Sequence, residues 1–551
     1  MRKPVCTAVL IVVSLSVAAL HASAQDSDLT AISAIRREGL QRSQVRDILS
    51  WISDVYGPRV TGTPAMLKAS DWALARFAAW HLANIHREYW RVGEGWSLRR
   101  FAMHMVEPQT MPIIGMPLAW TPGTNGEVRA EALHLQLENE EDLTAWKGKL
   151  KGKIVLLQPE RRVELLTLPL SHRYTESDLA ELSKTPIPRQ WLSEESEPSE
   201  AVGGIGLLGP SHARSKAAWQ DRLIRFLKEE GVVAVVDRGS DDSVVSVGRP
   251  EQIPQATQRT DGGTIFVDMS QPGMSNQQRL LPWITVAVEH YNRMLRIAQK
   301  GIPVVLTLQV DVEWYPEPEA GNGFNTIAEI PGTDLKDEIV LLGAHLDSKH
   351  AGTGATDDGA GCAAILEAVR ILQQVGIRPR RTIRVALWGG EEIGHLGSQA
   401  FVARHYDKSG SGDDPSKVAI YLNSDNGAGR IRGVWAQNNL AAEPLLKKWL
   451  EPLHDLGVTT VARRGTIGSV YGGRIVGGTD HLTFDAIGVP AFQFIQDRLE
   501  YTSRTSHSNM DFVDHTSEGD LIQMAVAIAT IAYEASTSNE RIPRPTTDNR
   551  R

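Results

Sequence analysis

Cysteine is nearly absent from this chain, which has only Cys6 and Cys362. Cys6 lies in an N-terminal leader, so the mature chain keeps one thiol and cannot form an internal disulfide. Its stability in an oxidising compartment must then come from the packed core and not from cross-links. Positive charge is not in excess either: 58 Lys and Arg stand against 66 Asp and Glu, a formal net charge of -8. The sequence therefore lacks the basic footprint of a nucleic-acid binder, and no nucleic-acid partner is expected. Past the leader, no apolar run reaches the roughly 20 residues that a spanning helix needs, so no membrane span is expected. Internal repeats are missing. So are His-Glu-x-x-His, Gly-x-Ser-x-Gly and the phosphate-binding Gly-x-x-x-x-Gly-Lys loop, which removes several hydrolase and nucleotide-binding classes.

What remains is an ordinary globular composition, 42% hydrophobic and 23% charged over 551 residues, enough for at least two domains. Arg2 and Lys3 precede an apolar run from Val5 to Leu20, and Ala22-Ser23-Ala24 gives a small-residue cleavage pattern. Residues 1–24 read as a secretory signal peptide, and the protein is expected to be exported, secreted or periplasmic after cleavage near Ala24. Residues 25–109 begin with two helical patterns, over 28–57 and 64–85. From 110 to 300 the texture turns to short β-rich runs, such as Ile154–Leu157 and Val232–Val236, and predicts a separate domain. Its stretch 160–203, rich in Glu, Ser and Pro, reads as a long surface insertion.

From 301 to 540, buried-strand runs alternate with helical ones: Ile339–Gly343, a helix over 360–375, Thr382–Trp388, Val418–Asn423, Ala491–Ile495 and a helix over 519–535. That alternation predicts an α/β fold, three αβα layers around a mostly parallel sheet, with functional groups at the carboxyl ends of the strands. Residues 541–551 read as a polar tail.

Metal-competent side chains collect at those ends and in the loops that follow. His345-Leu346-Asp347-Ser348 follows the first strand, and Thr356-Asp357-Asp358-Gly359-Ala360-Gly361 opens the helix. Glu391-Glu392 closes the next strand, Asp425 follows Asn423, and His507 comes last in Ser506-His507-Ser508-Asn509-Met510-Asp511. Catalytic zinc takes imidazole nitrogen and carboxylate oxygen and keeps an open position. Two ions roughly 3.5–4 Å apart need one shared carboxylate and two private ligands each, five residues in all, and shared negative charge offsets their repulsion. Either aspartate of Asp357-Asp358 can be the shared one on this reading. Taken singly each piece is weak: His345 could be a structural histidine, Asp-Asp-Gly a turn, Glu391-Glu392 the first turn of a helix. Their conjunction in one α/β unit carries the argument.

These motifs, GAHLDS, TDDGAG, EEIG and SHSNMD, resemble the secreted zinc aminopeptidase family, which also includes plasma glutamate carboxypeptidase. The resemblance implies a di-zinc exopeptidase in which residues 110–300 look like an inserted protease-associated domain. It implies one zinc held by His345, Asp357 and Asp425 and the other by Asp357, Glu392 and His507, with Asp357 bridging. Glu391 would be the general base, Asp347 the carboxylate that orients His345, and Tyr501 a phenol beside the scissile carbonyl. Peptide substrates follow, with cleavage at the amino end expected and a carboxypeptidase or dipeptidase as the alternative. A receptor-like domain with a dead site would have lost ligands, and a single-zinc glutaminyl cyclase would hold one ion. His395, His481 and His515 are expected to be packing or supporting residues, the tryptophans core, and Arg463-Arg464 the one basic pair to weigh for acidic substrates.

Overall fold

In the computed structural model the described residues are 28–163, 165–167, 169–184, 210–239, 259–267, 281–406, 413–437, 439–462, 470–471, 474–475 and 479–544. The leader, the pair Arg463-Arg464 and most of the polar tail lie outside them.

Continuous apolar runs make the strands of the first sheet, since a strand covered on both faces has no polar side to show. Eight strands pair in the order Ala83–Trp90, Gly323–Ile330, Arg381–Trp388, Leu335–His345, Val418–Asn423, Ala491–Gln496, Ile431–Trp435 and Thr460–Ala462. The centre is parallel, from Arg381–Trp388 through Ala491–Gln496, while both flanks include antiparallel pairs. The expected parallel sheet is thus the middle of a mixed one. Alternation across the central strand is direct: Val340, Leu342 and Ala344 join the core on one face, and Ile339 and Leu341 join that on the other.

The first face is covered by helices Leu29–Arg42, Ala360–Val375 and Glu518–Thr537. Ala360–Val375 is buried through most of its length and stops at Gly376, whose φ of +74° suits a left-handed cap. Its Arg370 is a buried cation held by Glu367 at 2.7 Å and Glu38 at 2.9 Å, so a charged pair is accommodated only with its hydrogen bonds met. The opposite face is aromatic: Trp388, Phe401, Tyr421 and Phe484 meet edge-on or tilted under helices Leu396–His405 and His481–Asp485. Of the tryptophans weighed from sequence, Trp449 is buried, but Trp51 is exposed at the surface, stacked on Trp72.

A second eight-stranded sheet takes its two longest strands from Gly95–Glu107 and Val305–Tyr315, so it reaches past both ends of the 110–300 stretch. Helix Val288–Ala298 covers one of its faces through Tyr291, Met294 and Leu295. The stretch expected as a surface insertion behaves otherwise where it is described. Helix Glu176–Lys184 buries Leu179 and Leu182, one helical turn apart, against Trp435, Ala462 and Ile495 at the edge of the first sheet.

Candidate metal centre

The parallel strands end side by side, so the loops after His345, Trp388, Asn423 and Gln496 face one another. His345 is the last residue of the central strand and only 1% exposed. Its Nε2 faces Asp357 Oδ1 at 3.2 Å, Asp425 Oδ1 at 3.6 Å and Glu391 Oε2 at 3.9 Å. Across Asp357, the other oxygen Oδ2 lies 3.4 Å from His507 Nε2, which in turn is 3.3 Å from Glu392 Oε2. One carboxylate thus presents an oxygen to each histidine. Two sets of donor atoms, His345 with Glu391 and Asp425, and Asp357 with Glu392 and His507, each lie within 4.8 Å of one another. Asp357 belongs to the second set and turns Oδ1 toward His345 of the first.

Asp358 is turned away from the cluster. Its carboxylate accepts from the backbone N–H of His345 at 3.2 Å and of Gly361 at 3.1 Å, so it shapes the loop. That contact explains the glycine in the motif: a Cβ on Gly361 would come within 2.3 Å of both Asp358 Oδ1 and the Ser424 carbonyl. Asp347 is buried, and its carboxylate accepts from Thr61 Oγ1 at 2.8 Å and from the N–H groups of Glu391 at 3.2 Å and Glu392 at 3.4 Å. The orientation of His345 falls to the Asp347 carbonyl, 3.0 Å from Nδ1, more than to its carboxylate at 3.6 Å. Asp347 therefore positions the Glu391-Glu392 turn at least as much as the histidine. Tyr501 is buried with its hydroxyl 3.5 Å from Asp425 Oδ1.

Charge in this pocket is lopsided, with Asp357, Asp358, Glu391, Glu392 and Asp425 buried together. Burial, with Asp425, Glu392 and Asp357 close by, pushes the Glu391 carboxyl well above the usual range despite His345. Glu392 goes the other way: burial opposes its charge, but Lys349 and His507 hold it below the ordinary value. For Tyr501, burial and the Asp357 and Asp425 carboxylates keep the phenol protonated well beyond its normal range. Burial, with Glu391 nearby, pushes Asp480 up to about 7. Mixed imidazole and carboxylate donors and uncompensated buried negative charge fit divalent cations of the zinc type.

Several residues at the centre escaped the sequence reading. His395 Nε2 lies 3.3 Å from Glu391 Oε1, so it touches the expected base. Its spacing of four from Glu391 is the signal in the sequence, and the contact gives the supporting residue expected there a specific partner. Lys349 Nζ is 3.5 Å from Glu392 Oε2, and Ser506 donates to Asp357 Oδ2 at 2.9 Å. Asp511 accepts from the N–H of Thr356 at 2.6 Å and of Asp357 at 3.2 Å. His481 is buried against Gln437 and His515 pairs with Glu500, both in supporting positions.

Residues 325–532, which span all the positions from His345 to His507, match the model of peptidase family M28. The similarity to peptidase family M28 thus takes in the whole candidate centre. The chain is similar to Carboxypeptidase Q of Mus musculus, 30% identical over 273 residues, which covers 48% of this chain and 52% of that protein. Leupeptin-inactivating enzyme 1 of Streptomyces exfoliatus is 36% identical over 103 residues, covering 19% of this chain and 22% of its own. The chain thus spans about half, or less, of the length of these curated relatives. In fold it is similar to a Peptidase M28 precursor from Shewanella amazonensis SB2B, with a TM-score of 0.62 at 22% identity, covering 94% of this chain and 98% of that one. BSAP, a zinc aminopeptidase from Bacillus subtilis, gives 0.50 at 16% identity over 90% and 95%.

Proposed function

We propose that this protein is an M28 metallo-exopeptidase that hydrolyses terminal peptide bonds with two zinc ions. In this reading His345 and Asp425 hold one ion, Glu392 and His507 the other, and Asp357 bridges. The observation that carries it is the Asp357 carboxylate, one oxygen toward each histidine. Bound ions would supply Lewis acidity to the scissile carbonyl and offset the charge that develops there. Glu391 takes a proton from the attacking water and delivers it to the departing nitrogen, as the new C–O bond forms and the C–N bond breaks. His395 fixes Oε1 of Glu391 and leaves Oε2 toward the His345 side. Tyr501, kept protonated, can donate toward the oxyanion.

The amino end of a peptide is the proposed point of attack. A second reading, cleavage from the carboxyl end, is favoured by the 273-residue similarity to Carboxypeptidase Q. Matched peptides carrying an N-acetyl or a C-amide cap separate the two: loss of turnover on N-acetylation supports the first, loss on amidation the second. Glu391→Gln is expected to keep both ions and lose roughly 100- to 10,000-fold in kcat. Wild-type kcat in that variant would remove Glu391 from the mechanism. Export belongs to the same proposal, carried by the leader pattern, and Gln25 should be the first residue of protein recovered outside the cytoplasm. Among the described residues no helix is long and apolar enough to cross a membrane.

A further inference from the structure

The loop that carries His507 is held from two sides. On one side it belongs to the first sheet: Thr353 N–H donates to the Asp511 carbonyl at 2.9 Å, and the Asp511 carboxylate receives the N–H groups of Thr356 and Asp357. On the other side it pairs with Arg259–Val267, a segment that lies between strands Ala234–Asp237 and Trp283–Val286 of the second sheet. Arg259 N–H donates to the Ser503 carbonyl at 2.7 Å, Val267 N–H to the His507 carbonyl at 3.0 Å, and Asn509 N–H to the Ile265 carbonyl at 3.1 Å. Phe266 and Ser508 form an antiparallel bridge at the centre of this contact.

The Asn509 side chain closes it. Its Oδ1 accepts from Ile265 N–H at 2.7 Å and its Nδ2 donates to the Gly263 carbonyl at 3.1 Å, so one amide grips two backbone groups of the facing segment. The facing segment is itself anchored, because Ile265 and Val267 are buried against Ala287 of the second sheet region and Ala351 beside the His345 loop. His507 needs such support. Its φ is +62°, a conformation that side chains other than glycine rarely adopt and that persists only when the surroundings fix it. Its side chain is also 41% exposed, against 1% for His345, so packing alone does not hold the imidazole.

We propose that Asn509 is a positioning residue for the His507 half of the centre, and that through it the second-sheet domain sets the affinity of the ion held there and not of its neighbour. The proposal rests on the two-ion reading. The substitution removes no metal ligand and acts only through the backbone that presents His507.

The test is zinc binding by the full-length chain across a series of chelator-buffered zinc concentrations, counting ions per chain by plasma mass spectrometry. Wild type should fill in two steps, and His507→Ala identifies the step that belongs to His507. Asn509→Ala is expected to weaken that same step by about 10- to 100-fold, leave the other in place, and recover turnover when zinc is in excess. Asn509→Asp keeps the acceptor for Ile265 N–H and should shift the step less. It also serves as the test should the alanine variant fail to fold. The proposal is overturned if the Asn509 variants fill both steps as wild type does, or if both steps move together. A wild type with one step overturns the two-ion reading as well, whereas two steps without peptide turnover overturn only the peptidase reading.

Discussion

His345 and His507 offer the same imidazole, but the chain delivers them by different means. His345 ends the central strand of the first sheet, with neighbours hydrogen-bonded on both sides and Nδ1 fixed by the Asp347 carbonyl. His507 sits on a loop, partly exposed, in a left-handed backbone conformation, with its carbonyl tied to another sheet's connecting segment. The adjoining acids differ in the same sense, since Glu391 is pushed up by burial and neighbouring carboxylates while Lys349 helps hold Glu392 down. A site of this kind has one half inherited from the core and another assembled from outside it, and the two halves should respond differently to damage.

The largest expected effect contrasts the histidines directly. His345→Ala removes a proposed ligand from the rigid half together with the imidazole that faces Asp357 Oδ1 and Asp425 Oδ1, leaving the carboxylate proposed as the bridge without its partner, so both ions should be lost on dialysis. His507→Ala should keep one zinc per chain. Equal stoichiometry in the two variants would break the comparison. Next comes Thr61→Val, which strips a 2.8 Å hydrogen bond from the buried Asp347 carboxylate. Leaving that acceptor short should cost about 1–3 kcal/mol of stability, read from the denaturant midpoint. An unchanged midpoint would mean that Asp347 does not depend on Thr61. The smallest effect is expected from Lys349→Met. Its ammonium, 3.5 Å from Glu392 Oε2, opposes a cation on that carboxylate, so its removal should tighten the His507-side ion several-fold and leave the other alone. Weaker binding of that ion would instead make Lys349 a support for Glu392.

How much of this could be read from the sequence follows the same division. The strands Ile339–Gly343 and Val418–Asn423 and the helix over 360–375 were legible because burial on both faces leaves unbroken apolar runs, and the residues at their ends inherit that clarity. His345, Asp357, Glu391, Glu392 and Asp425 all belong to this group, whereas His507 stands in a polar loop run, Ser506-His507-Ser508-Asn509, away from any strand end. The flanking strands Ile431–Trp435 and Thr460–Ala462 are short and interrupted by Arg, Gly or Thr, so they leave little pattern. The contact of helix Glu176–Lys184 with Trp435 and the grip of Asn509 on residues 263–265 join positions more than 240 apart. No local periodicity records such a contact. His395, expected in a packing or supporting role, has its four-residue spacing from Glu391 in plain view, but the direction of its side chain depends on a left-handed backbone at His395 itself.

The hydrogen bonds that close the Asp357 loop come from Asp511, and those that steady His507 come from Ile265 and Val267. In the order of synthesis, the proposed ligands at 345, 357, 392 and 425, like the bracing residues Ile265 and Val267, are all made before His507 and Asp511. A chain still emerging from the ribosome can therefore build the central strands but holds no finished centre until the stretch past Asp511 has folded back over both sheets. The full donor set then comes together as one of the last events of folding.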